Sequence, residues 1–362
     1  MLEYRMGRVT EILERRNGVT EVLLDIDHPV KKAINYDDIT GSISKGDLLY
    51  LNTTAASLGL GTGGYHFVVI NCSHKEHSMS PGGHGMKVRY TPFQVKVPYA
   101  EEEIQSAKEL YNSKLNLKKK LICFGELHSM IPPLCAYFKY HCPRLRICYI
   151  MTDQGALPLK LSRNIDFLKK HNLVDSVITI GNAFGGDYEC VNIYTGLQTA
   201  AWVDESDIIL VSMGPGIVGT GTRYGFSGLE MGFYIDLAIR SGGQCCYIPR
   251  ISFAEGRQRH FGLSHHSITM LTEIVQSSVL VTLPILQKKQ IQIIYKQLHE
   301  NKVLSRHRLC IADGSSIREV MEYYRLNITT MGRGIKDDPA FFLGIGAAAK
   351  KSLALFYRLD RL

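Results

Sequence analysis

The chain has 362 residues, 45% of them hydrophobic and 21% charged, with a net charge of +8. That length favours two domains over one, and the composition is that of a globular protein, which excludes wholesale disorder. The basic excess is spread along the chain, no apolar run reaches the ~18 residues of a membrane span, and Met1-Leu2-Glu3-Tyr4-Arg5 has no signal-peptide pattern. A cytoplasmic protein with no membrane partner is therefore expected.

Residues 1–90 read as all-β. Alternating stretches at 8–13 and 18–24 flank Asn17-Gly18, a hairpin signal, and further strands are expected at 45–51 and 65–71. Short strands separated by Gly, Asn and Asp turns suggest a small barrel-like domain over 1–95. Residues 1–100 carry eleven basic and ten acidic side chains. With so little excess charge, nucleic acid is not the expected partner.

Pro92 and Pro98 punctuate an extended connector, and Glu101, Glu102 and Glu103 place acid in the first turn of a helix. Apolar strands are expected at 120–124, 146–151, 176–180, 207–212, 244–248, 279–283 and 308–312. Helical patterns lie between most of them, including 165–171 and 226–239, and an amphipathic helix closes the chain at 339–359. Strands apolar on both faces that alternate with helices predict an α/β, Rossmann-like domain over 96–362, a largely parallel sheet flanked by helices. The nine cysteines are an odd number without C-x-x-C spacing, and they read as small buried hydrophobes in a reducing compartment. The clustered Cys/His pairs of a structural zinc site are missing.

Ligands of parallel sheets sit beyond the carboxyl ends of the strands. Residues 214–222, after the expected fourth strand, place Gly214, Gly216, Gly219 and Gly221 with Thr220 and Thr222 there. Glycine lets backbone N–H groups approach an anion, and the two hydroxyls add donors. The G-x-G-x-x-G spacing at 214, 216 and 219 is not a dinucleotide fingerprint, because it does not follow the first strand and Asp236, at the nominal distance, falls within a helix. It is no Walker loop either. A turn that lets two loops pack closely is the alternative.

Residues 250–266 hold Arg250, Arg257 and Arg259, His260, His265 and His266, and Glu255. Guanidinium forks suit phosphate or carboxylate. Ser264 is placed to cap a helix over 268–275, with His265 and His266 in its first turn, where the dipole favours neutral imidazole. A solvated loop with an arginine–Glu255 pair is the plainer reading. Glu126, His128 and Asp153 would form an acid–base set if the first two strands of the sheet pair. His74, His77 and His84 match no compact metal motif.

The blocks at 85–92, 214–222, 250–266 and 329–334, with Asp338-Pro339-Ala340-Phe341-Phe342, resemble a bacterial family catalogued as a domain of unknown function, the one numbered 3866. The resemblance spans nearly the whole chain. It implies a bacterial cytoplasmic protein and names no substrate.

The leading expectation is an anionic small molecule, a nucleotide or phosphorylated metabolite, bound at the carboxyl edge of the sheet. The four glycines with Thr220 and Thr222 would cradle it, and Arg250, Arg257 and Arg259 would neutralise it. His260, His265 or His266 would move protons opposite Glu126 or Asp153. Transfer or hydrolysis without a redox cofactor fits these residues better than hydride transfer, and no pattern names a cofactor. One rival is a non-catalytic sensor or partner-binding protein. Another is a metal-dependent hydrolase that uses His265, His266 and strand-end carboxylates as ligands. A homo-oligomer is compatible with every one of these readings.

Overall fold

The structure is a computed structural model that describes residues 2–61, 63–78 and 82–359. It divides into two compact units, Met1–Lys96 and Val97–Leu362.

The first unit is a closed barrel of β1 (Tyr4–Arg16), β2 (Val19–Asp25), β3 (Lys32–Tyr36), β4 (Leu48–Asn52) and β5 (His66–Asn71), in the order β1-β2-β3-β5-β4. Asn17 and Gly18 both have positive φ, the backbone twist that a two-residue hairpin turn requires. β4 pairs with β1 and closes the ring around Val9, Val22, Leu49 and Leu51. Two short strands follow, β6 (Gly85–Lys87) and β7 (Val95–Val97).

The second unit contains β8 (Leu121–Gly125), β9 (Ile147–Thr152), β10 (Ser176–Thr179), β11 (Tyr188–Glu189), β12 (Ile208–Met213) and β13 (Gln244–Ile248). A small antiparallel ribbon of β14 (Ile251–Ser252) and β15 (Gly262–Leu263) comes next, then β16 (Leu280–Pro284) and β17 (Arg308–Ala312). The eight strands other than the ribbon form one all-parallel sheet in the order β11-β10-β9-β12-β8-β13-β16-β17. This is the expected Rossmann-like architecture. Every residue of β8, β9 and β12 is buried, because helices cover both faces. Along β8, Leu121 and Cys123 join the core under the helices Ile131–His141 and Pro339–Leu359, while Ile122 and Phe124 join the core under Glu230–Arg240.

Three details depart from the sequence expectations. β11, only two residues long, adds an edge strand beside β10. β12 lies between β8 and β9, so the first two strands of the sheet do not pair. The helix expected at 268–275 begins earlier, at His265–Thr269, and runs on as a π-turn over Met270–Ile274. The 21-residue helix Pro339–Leu359 is long and apolar enough to cross a membrane, but it lies against the sheet with Phe341, Phe342, Ile345 and Ala349 in the core.

Candidate functional site

From β8 the chain runs to β9, two positions along the sheet, and from β12 it runs two positions the opposite way, to β13. β8 and β12 are neighbours, so the loops that leave their carboxyl ends diverge toward opposite faces and open a crevice between them. A cavity of about 230 Å³ lies there. Its walls are 127–129 after β8, 213–217 after β12, Asn164, and 329–331.

The glycine loop plays several parts. A β-carbon on Gly214 would lie 2.6 Å from the Ala156 carbonyl oxygen, and one on Gly155 would overlap the Gly214 carbonyl. The Ala156 amide donates to the Pro215 carbonyl at 2.7 Å. Gly214 therefore serves close packing against the loop after β9. Gly216 is different: at φ +98°, its missing side chain faces open space. Farther along, Gly219 lies against His266 and Gly221 against the Arg259 guanidinium. The Thr220 and Thr222 hydroxyls bond each other at 2.9 Å. Thr220 also donates to the Gly225 carbonyl and Thr222 accepts from the Gly225 amide, so both exposed hydroxyls are engaged within the loop.

Residues 250–266 fold back through the ribbon, and Gln297 clasps them by accepting from the Leu263 amide and donating to the Phe261 carbonyl. Ser264 caps the short helix and accepts from the His266 amide at 3.3 Å. His260, His265 and His266 converge with ring centroids 4.2 to 4.9 Å apart, and His266 stacks on Phe226 at 4.0 Å. Burial, followed by neighbouring charge, pulls the His260 imidazole down to about 4 and that of His266 to about 3, and lowers that of His265. Lowered in this way the rings stay neutral at pH 7, the state the sequence leads one to expect for His265 and His266. Burial rather than a helix dipole is the main cause, since the helix is only five residues long.

The arginines are not alike. Buried Glu255 accepts from Arg250, Arg257 and Arg333 at 3.0 to 3.2 Å, and the Arg257 guanidinium holds its carboxyl down to about 2. Arg250 is itself buried and belongs to this ion cluster, while Arg257 and Arg259 are exposed. Arg333 sits in the turn where the Thr330 and Arg333 backbones bond each other, next to the cavity wall. Sequence reading missed the positions of Arg333 and Asn164, which lie far along the chain from the two dense blocks.

The carboxylates are separated. Glu126 accepts from the Tyr247 and Ser267 hydroxyls in the interior, and burial pushes its carboxyl up. Asp153, on the other side of β12, accepts from the Asn182 amide at 2.9 Å. The two do not form an acid–base pair at adjacent strand ends. His128 borders the cavity, with Nδ1 on the Tyr149 hydroxyl at 3.1 Å and Nε2 on the Ser162 hydroxyl at 2.7 Å. In the first unit, His74 and His77 are exposed, bond the Ser42 and Asp38 carbonyls, and line a shallow surface cavity together with Asp37 and Glu76.

The family model described as "Protein of unknown function (DUF3866)" matches residues 32–349. The chain belongs to the DUF3866 family. The matched span contains the crevice, the glycine loop and the Arg/His segment, so all three lie within the family's domain. No curated protein matches the chain. The DUF3866 description names no substrate.

Proposed function

We propose that the α/β unit binds an anionic small molecule, a nucleotide or phosphorylated metabolite, at the carboxyl edge of its sheet, where transfer or hydrolysis takes place. One observation carries this reading. The loop that walls the cavity at 213–217 continues directly into the positions that touch His266 and Arg259. A neutral portion of the ligand would fill the cavity beside Gly216, Asn164 and Thr330. Its anionic group would reach Arg259 and Arg257, which are exposed and supply charge that Glu255 does not fully balance. His260 donates from Nδ1 to the Ser264 hydroxyl, which leaves Nε2 as the basic nitrogen for a proton. Glu126 acts from behind, holding Ser267, which accepts from the Arg250 amide.

The test is thermal unfolding with ATP, ADP, inorganic phosphate and sugar phosphates. A ligand at 100 times its Kd adds about 2.7 kcal/mol, a rise of several degrees for a unit of this size. Gly216→Val, which places a branched side chain at a positive φ beside the cavity, is expected to abolish the rise while the protein stays folded. No rise with any anion, or the same rise in the variant, refutes the proposal.

A further inference from the structure

We propose that His260, His265 and His266 form a binding site for a first-row divalent metal ion, with zinc the best suited. One ring nitrogen from each residue lies within 4.8 Å of the other two. A tetrahedral zinc with Zn–N bonds of about 2.0–2.1 Å holds its ligands roughly 3.3 Å apart, so closing the site requires ring movements of about 1 Å. Two nitrogens are already waiting for a partner: His265 Nε2 and His266 Nδ1 are buried and make no hydrogen bond. A buried polar atom without a partner is costly, and a metal ion would remove that cost from two rings at once.

The surroundings have the features of a ligand shell. Imidazole is the ligand type that zinc shares with nickel, copper and iron. Ser264 binds His260 Nδ1 at 2.9 Å, which fixes that tautomer and leaves Nε2 as the nitrogen open to a metal, as outer partners of metal-binding histidines do. His260 Nε2 now accepts from Arg259 Nε at 3.3 Å, a long bond from an exposed and mobile type of side chain that a metal would displace. Phe226, stacked on His266, fixes the plane of that ring.

Three neutral ligands leave the ion with its full charge, next to Arg250, Arg257 and Arg259. A cation is tolerated there only if its fourth ligand is an anion, either hydroxide or an oxygen of a phosphate-type ligand. The metal inference stands on the ring geometry and does not require the anion proposal. If both hold, the two ligands bind together and His260 Nε2, taken by the metal, no longer accepts a proton.

The measurement is metal content and affinity of the full-length protein. Protein stripped with chelator is titrated with Zn²⁺ against a chromophoric chelator, and with Co²⁺, whose visible absorption reports four-coordinate nitrogen and oxygen ligation. We expect one equivalent per chain and the cobalt band in the wild type. His266→Ala and His260→Ala should weaken binding at least 100-fold. His265→Gln, a change at a half-buried ring, serves if the other variants do not fold. Ser264→Ala keeps all three ligands and should weaken binding 10- to 100-fold. No zinc binding by stripped wild type, or unchanged affinity in a folded His265→Gln, overturns the inference. Anion-induced stabilisation of the metal-free protein would show independently whether the anion proposal survives.

Discussion

The buried His128 imidazole gives a quantitative test of how the crevice is held. It donates from Nδ1 to the Tyr149 hydroxyl, which in turn donates to the Met213 carbonyl at 3.0 Å, and Nε2 accepts from Ser162. Burial lowers its pKa from 6.5 to about 4. The unfolded chain therefore takes up a proton between pH 6.5 and 4 while the folded chain does not. The stability this residue confers is complete above pH 6.5 and falls as the pH drops toward 4. At 1.36 kcal/mol per pKa unit, the loss between pH 7 and pH 5 is about 2 kcal/mol. His128→Gln removes the titrating group and keeps an amide within reach of Ser162. Trp202 is the sole tryptophan and lies in the α/β unit, bonded to the Asn116 carbonyl, so its fluorescence follows unfolding of this unit in urea without interference from the barrel. The wild type should lose about 2 kcal/mol more than the variant between pH 7 and pH 5. Equal losses would mean that the imidazole is not held neutral by the fold, and the account of this wall of the crevice would fail.

Two further outcomes follow from the packing. Glu255→Gln removes the one carboxylate shared by Arg250, Arg257 and Arg333 and leaves Arg250 buried. A destabilisation of about 3 kcal/mol is expected at pH 7, read by the same Trp202 unfolding curve. It should shrink as the pH falls from 4.5 toward 2, where the wild-type carboxylate itself is protonated. Gly155→Ala drives a methyl into the Gly214 carbonyl, so it should cost about 1–3 kcal/mol and raise the hydrogen-exchange rate of the Ala156 amide, which donates to Pro215.

Much of this architecture could be read from residue order because buried parallel strands are short, apolar on both faces and bounded by glycine or charge, as at Ile147–Thr152 and Ile208–Met213. β11 has two residues, too few for any periodicity, and β3 is obscured because buried Asn35 bonds Asp37 and the Gly41 carbonyl instead of continuing an apolar pattern. Strand order was not legible. Nothing in residues 121–213 announces that β12 inserts between β8 and β9, and that insertion is what separates Glu126 from Asp153. In the candidate site, the density of arginine and histidine was legible from the sequence, and Ser264 was recognisable as a cap. The pairing of Thr220 and Thr222 within their own loop depends on a contact with Gly225 that spacing does not reveal. The histidine cluster was hidden for a related reason. A four-residue gap followed by adjacent histidines matches no zinc motif until the 3-10 turn at Gln258–His260 folds back over the helix that Ser264 starts.

The crevice depends on two buried polar networks, one for each face of the sheet. On one face, Tyr149 of β9 reaches across to the Met213 carbonyl at the end of β12 and binds His128, which Ser162 holds from the other side. On the other, Tyr247 of β13 donates to Glu126 just beyond β8, and Glu126 also receives Ser267 from the helix that carries His265 and His266. Each network ties the loop after β8 to another strand of the sheet through a tyrosine that is fully buried. Satisfied buried networks rigidify what they join, and binding is stronger where the first contacts are set in place beforehand. The insertion of β12 thus makes the loops at 127–129 and 213–217 two walls of one crevice, about 230 Å³ in volume. A ligand there would meet a formed site, and the mobile part of the response would be Arg259, whose side chain lies between Gly221 and His260 and contacts both the glycine loop and the histidine cluster.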